Sequence, residues 1–129
     1  MELSLNSLTS KLIGTAVLFL FVFVSGRYLS NLGRPINAVS LTIHKLIALG
    51  TLVVIGVTVY QVNQIVPLST AAIAATVITG IFFVVTIVAG GLISLDQPVS
   101  AMSIVHKVGP FLTIASTIVT MYLLANPQQ

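Results

Sequence analysis

The sequence predicts an all-α integral membrane protein, a four-helix bundle assembled from two tandem helical hairpins. Three observations carry that expectation. Hydrophobic residues make up 57% of the 129 residues and charged ones 5%, against about 25% charged in an ordinary soluble domain. Polar surface is therefore too scarce to cover a water-soluble globule. Four apolar runs far exceed the ~9–11 residues of a membrane barrel strand, show no alternation, and suit spanning helices. One motif also occurs twice: Pro35-Ile36-Asn37-Ala38-Val39-Ser40-Leu41-Thr42-Ile43-His44-Lys45 returns as Pro98-Val99-Ser100-Ala101-Met102-Ser103-Ile104-Val105-His106-Lys107 once Leu41 or Thr42 is dropped.

The elements follow in order. Met1 to Ser10 reads as a short interfacial segment, with Ser10 a helix cap ahead of Lys11. Leu12 to Gly26 is uncharged and apolar; continued through Tyr28 it reaches the lower limit of about 17 residues for a span. Helix one is expected at 10–29. Val24-Ser25-Gly26 makes a poor signal-peptide cleavage site and the third span resembles this one, so the helix is expected to be retained. Leu29 to Arg34 forms a short loop. Pro35 then sits in the first turn of helix two, 35–62, where its missing N–H costs nothing. That length crosses with some tilt. Asn63 to Thr70 is an uncharged turn around Pro67, and Ser69 or Thr70 caps helix three, 70–94. Its span from Ala71 to Leu95 carries no charge. Asp96-Gln97-Pro98 signals the start of helix four, 98–124, with an acid near the positive end of the helix dipole. Asn126-Pro127-Gln128-Gln129 is a polar stop. Residues 1–129 thus form one four-transmembrane domain with repeats at 12–62 and 71–124. Ser25-Gly26 and Ala89-Gly90 precede the two prolines at nearly equal spacing, so the halves suggest a parallel duplication about an axis along the membrane normal.

The net charge of +3 comes from five basic and two acidic residues with no basic run, which is no nucleic-acid footprint. It is a topology signal. Arg27, Arg34, Lys45 and Lys107 lie toward the face holding loops one–two and three–four, while Lys11 marks the other. The positive-inside rule places both termini on the non-cytoplasmic side of a multi-pass protein, in a prokaryotic cell membrane or an organelle equivalent. Cys is absent, which excludes disulfides, thiolate metal sites and iron–sulfur clusters.

His44 and His106 are the only histidines, and each lies inside an apolar span. Both follow their proline at a distance of about 12–14 Å along a helix, hence at equal depth below one face. Positions at helical spacing from His44 are Asn37, Ser40, Leu41, Ile47, Ala48, Thr51, Ile55 and Thr58. From His106 they are Val99, Met102, Ser103, Gly109, Pro110, Thr113, Thr117 and Thr120. Small and hydroxyl residues gather on these faces, as at helix–helix contacts in membranes, so both histidines are expected to face the bundle axis. Gly26 and Gly90 at the same level, with Gly109 one turn beyond His106, are expected to leave room for something flat and large. Pro110 removes the usual helical donor to the His106 carbonyl, so a kink or a rotated ring is expected there.

An ionisable residue within the membrane is costly and marks a functional site by default. One such histidine is readily a hydrogen bond between helices. Two at equal depth in duplicated context point instead to ligation, and neutral imidazole suits axial coordination of haem iron inside a helical bundle. The expectation is one haem b with His44 and His106 as its metal ligands. Both axial positions are then filled, which favours electron transfer over oxygen chemistry, and no residue is assigned a catalytic role. Lys45, Lys107, Arg27 and Arg34 are candidates for the haem propionates; the lysines equally suit snorkelling to headgroups. Tyr28 reads as an ordinary interfacial aromatic ahead of the other reading, a propionate donor.

Alternatives from other classes stand beside this one, and small size without a soluble domain suits a structural subunit well. The histidines could each hold the magnesium of a chlorophyll-type pigment, or hydrogen-bond within a cofactor-free structural subunit. A proton-coupled transporter wants an intramembrane carboxylate, whereas Glu2 and Asp96 are terminal and loop residues. Copper at His44, His106 and Met102 would lack a thiolate. Nucleotide-binding loops, a Ser-His-Asp set and zinc motifs are absent, and Gly90-Gly91 reads as helix packing.

With four apolar helices, small-Gly helix ends, His44 and His106, the chain resembles the small four-helix membrane b-type cytochromes, the cytochrome b561-like and membrane-anchor cytochrome b group. Many of those proteins carry two haems on four histidines; two histidines imply one haem. The resemblance further implies electron passage between quinol and a partner subunit. Expected partners are thus the lipid bilayer, a quinone, and other membrane subunits or a second copy, with the chain an electron-carrier subunit rather than a stand-alone enzyme.

Overall fold

The computed structural model describes residues 5–95 and 100–126. All regular structure among the described residues is helical: α1 Leu5–Leu32, α2 Ala38–Ile65, α3 Thr70–Ile93 and α4 Ser100–Ala125. Each helix is long and apolar enough to cross a membrane by length and composition. At 24 to 28 residues apiece and 1.5 Å per residue they run to about 36–42 Å, beyond the ~30 Å of a bilayer's hydrocarbon core. These stretches are rich in Val, Ile and Thr, which are moderate helix formers in water. Where backbone groups find no water, a helix satisfies every N–H and C=O within one segment, and propensity is overridden.

The helix ends explain where the boundaries fall. Ser10, expected as a cap, lies inside α1, which is already helical from Leu5. Its other end extends to Leu32, where Gly33 adopts φ 69°; glycine enters that left-handed region without a Cβ penalty and stops the helix. Helix α2 starts at Ala38 rather than Pro35. Asn37 is the reason: its Oδ1 accepts from the Ser40 N–H at 3.0 Å, and its carbonyl accepts from Leu41 at 3.0 Å. Asparagine is among the best N-caps, so Pro35 stays in the connection, joined to Arg34 by a cis peptide bond. Helix α2 continues past Val62 to Ile65, and Asn63 Oδ1 accepts from the Leu68 N–H at 3.3 Å. Ser69 caps α3, its Oγ accepting from Ala72 at 3.2 Å. Helix α4 remains continuous through Pro110, and Asn126 closes it by donating Nδ2–H to the Tyr122 carbonyl at 2.9 Å. The expected start signal Asp96-Gln97-Pro98, Val99 of the second motif, Glu2, and the Pro127-Gln128-Gln129 stop lie outside the described residues.

The chain divides into two compact units, one from Glu2 to Thr58 and the other from Val59 onward. The first holds α1 and most of α2. Its buried residues include Thr15, Phe19, Thr51, Ile55 and Thr58. The second holds the end of α2 with α3 and α4, and buries Thr79, Phe83 and Ala89 on α3 opposite Thr113, Thr117, Thr120 and Leu124 on α4. Those two helices pack antiparallel: Thr79 and Thr120 hydroxyls meet at 3.0 Å, and Thr86 and Thr113 at 3.5 Å.

Threonine is the dominant buried polar residue, and the reason is local. Thr15, Thr51, Thr58, Thr113 and Thr117 each donate their hydroxyl to the carbonyl four residues back, at 2.7–2.8 Å. A hydroxyl satisfied within its own helix leaves a compact side chain that neighbouring helices can approach closely. On the opposite faces Phe21, Leu46, Ile81 and Phe111 are more than half exposed, a surface that suits lipid.

Candidate functional site

His44 is the seventh residue of α2 and is half-buried. The face it shares with Ser40, Leu41, Ile47, Ala48, Thr51, Ile55 and Thr58 is the less exposed side of the helix, as the spacing of these residues anticipates. Its ring lies against α1 at Gly26: a β-carbon there would stand 3.1 Å from Cε1, 3.7 Å from Nδ1 and 3.8 Å from Nε2. Nδ1 is 2.8 Å from the hydroxyl of Ser25. That hydroxyl is also 3.1 Å from the Val22 carbonyl, to which it donates.

His106 occupies the same place in the other unit. It is the seventh residue of α4 and half-buried, and its ring lies against α3 at Gly90. Here a β-carbon would come within 2.6 Å of Cε1, 2.9 Å of Nδ1 and 3.4 Å of Nε2. Nδ1 reaches the main-chain carbonyl of Thr86 at 2.9 Å. A carbonyl oxygen only accepts, so Nδ1 carries the proton of that bond, and in the neutral ring the lone pair resides on Nε2. The His106 carbonyl forgoes the amide donor that any residue but proline would supply at position 110.

At each of these glycines a neighbouring side chain lies close: the imidazoles lie over Gly26 and Gly90, and the Thr86 side chain meets buried Gly109, its Oγ1 nearest. Their role is to admit a histidine or threonine where a Cβ would intrude. Lys45, Lys107, Arg27 and Arg34 are all exposed. Successive residues on a helix are turned by about 100°, so each lysine leaves the face of the histidine before it. Tyr28 is exposed, and Met102 is half-buried on the His106 side of α4. Among the described residues no three His, Cys, Asp or Glu side chains cluster, and each hairpin holds one imidazole.

No known family, characterised protein or solved structure matches this chain. The site must be read from its own chemistry. An imidazole whose Nδ1–H is fixed by an oxygen on a packed neighbouring helix presents Nε2 as acceptor or metal ligand, the usual arrangement behind ligating histidines. The Ser25 hydroxyl and the Thr86 carbonyl were not singled out from the sequence. Ser25 stands there only as a small residue beside Gly26, and a main-chain carbonyl leaves no side-chain signature. Helical register could have found both, because Val22 and Thr86 each lie one turn before the glycine under the ring.

Proposed function

We propose that the protein is a membrane electron carrier in which His44 and His106 would be the ligands that hold a haem b. One observation supports this above the others. Both histidines occupy the same position in their helices, lie over a glycine of the preceding helix, and engage an oxygen of that helix through Nδ1. Such a contact orients the ring and fixes its tautomer, as partners of metal-bound histidines do. When bound, haem supplies reversible one-electron exchange.

The chain's own residues do the rest. Gly26 and Gly90 let the rings sit close to the neighbouring helix, so their direction is set by packing. With both histidines as its ligands, the haem would serve electron transfer rather than oxygen chemistry. Exposed Lys45, Lys107, Arg27 and Arg34 offer cations to the propionates. Four apolar helices support residence in a bilayer, with the arginine-bearing connection facing the cytoplasm and both termini opposite. The matching hairpins support an origin by duplication, and a quinone, other membrane subunits or a second copy would be electron partners.

A competing reading rests on the same hydrogen bonds: each histidine clips its hairpin together, with no cofactor. Optical spectra separate the two. Protein purified in detergent from haem-replete cells should show a b-type α band in the reduced-minus-oxidised spectrum, lost in His44→Ala and in His106→Ala. Pure protein without a Soret band overturns the haem reading, and bands of a chlorophyll-type pigment would replace it with magnesium ligation.

A further inference from the structure

We propose that Ser25 is the positioning residue for His44, its hydroxyl holding the ring as the Nδ1–H tautomer and setting its stand-off from α1. The hydroxyl has one proton and two neighbours, the Val22 carbonyl at 3.1 Å and His44 Nδ1 at 2.8 Å. With its proton directed to the Val22 carbonyl, the hydroxyl is a polarised acceptor for a donor on its other side. His44 Nδ1 is that donor, and Nε2 keeps the lone pair.

The second hairpin is a natural control. Ala89 stands where Ser25 does, directly before the glycine, and Thr86 matches Val22 four residues before it. With no hydroxyl between them, His106 reaches the Thr86 carbonyl directly and its ring presses closer. Its Cε1 is 2.6 Å from the glycine's would-be Cβ, against 3.1 Å for His44, and its Nδ1 is 2.9 Å away against 3.7 Å. The inserted hydroxyl is the difference in Nδ1 hydrogen bonding between the two hairpins, and the longer stand-off of His44 accompanies it. On the reading that the two rings are axial ligands, to which this inference adds, His44 is the ligand tuned by a replaceable side chain and His106 the one fixed by main chain.

The test uses ligand-free protein in micelles with ¹⁵N-labelled histidine, at a pH of about 8, above the ~6.5 of a free imidazole. Ring ¹⁵N shifts, correlated with the ring carbon-bound protons, report which nitrogen is protonated. Both wild-type rings should be protonated at Nδ1. In Ser25→Ala, His44 should gain an Nε2–H population while His106 is unchanged, and Ser25→Thr should restore the wild-type pattern. Wild-type His44 protonated at Nε2 overturns the proposal without recourse to any variant. So does Ser25→Ala with His44 signals unmoved. Because no haem is present, failure to bind haem refutes only the axial-ligand reading and leaves this result intact.

Discussion

Gly90 lies so close beneath the imidazole of His106 that a β-carbon would stand 2.6 Å from Cε1, nearer than real β-carbons approach any atom. At the matching pair, Gly26 and His44, the distance is 3.1 Å, tight but accommodated by a shift of a few tenths of an ångström. The two glycines should therefore respond unequally to the same substitution. Gly90→Ala forces the ring off the Thr86 carbonyl and should cost about 1–3 kcal/mol, the range for overpacking. Gly26→Ala should cost under about 1 kcal/mol, because the Ser25 hydroxyl already holds His44 back. Unfolding in mixed micelles measures both, and equal losses would show that the stand-off is immaterial.

Gly109 and Thr86 should be coupled. The Thr86 Oγ1, Cβ and Cγ2 all crowd the place a Gly109 side chain would take. Gly109→Ala alone should destabilise the α3–α4 hairpin, and Thr86→Ala should partly rescue it by removing Oγ1 and Cγ2. Residues in contact commonly show non-additivity of about 0.5–3 kcal/mol. A double-mutant cycle on detergent-solubilised protein reads that number; simple addition would mean the helices separate rather than clash. Neither change removes the Thr86 carbonyl, so the His106 hydrogen bond persists in the rescued variant.

These two cases also show what could be read from the chain. Four helices and the hydroxyl-lined face of each histidine were legible, because uncharged runs of spanning length and a period of 3.6 are properties of side-chain type and order. Thr51, Thr58, Thr113, Thr117 and Thr120 all prove buried on that basis. The start of α2 was misplaced because Pro35 and Asn37 are both helix-start residues, and only the geometry of Ser40 reveals that asparagine wins. The glycines stand out in the sequence, but the side chains that lie over them do not. Whether a missing side chain leaves a void or admits a neighbour depends on how close two helices come, which spacing within one helix does not encode. The oxygens at the histidines escaped notice for the same reason.

The Thr79–Thr120 hydrogen bond joins two almost fully buried hydroxyls at 3.0 Å. In membrane proteins such bonds contribute about 0.6 kcal/mol on average and at most about 1.7. Thr79→Val and Thr120→Val should each lower hairpin stability by about that amount, since each strands the partner hydroxyl. The double variant should lose less than the combined single effects, because two apolar groups of equal shape leave nothing unsatisfied. Thermal or denaturant unfolding in one detergent checks this, and full additivity would deny that the pair acts as a unit.

Asn37 should matter to α2 in a way its surface position conceals. Its side chain accepts from Ser40 N–H and its carbonyl from Leu41 N–H, so Asn37→Ala should cost about 1 kcal/mol, the usual value of an N-cap, while Asn37→Asp should retain it. The loss is local: amide exchange at Ser40 and Leu41 should quicken in Asn37→Ala, while Thr51, deeper along the same helix, stays protected. Ser69→Ala at α3 offers the same test at Ala72. If Asn37→Ala left exchange at Ser40 unchanged, the helix would have to begin upstream, at Pro35, and His44 would lie one turn deeper in its helix than His106 does from Ser100.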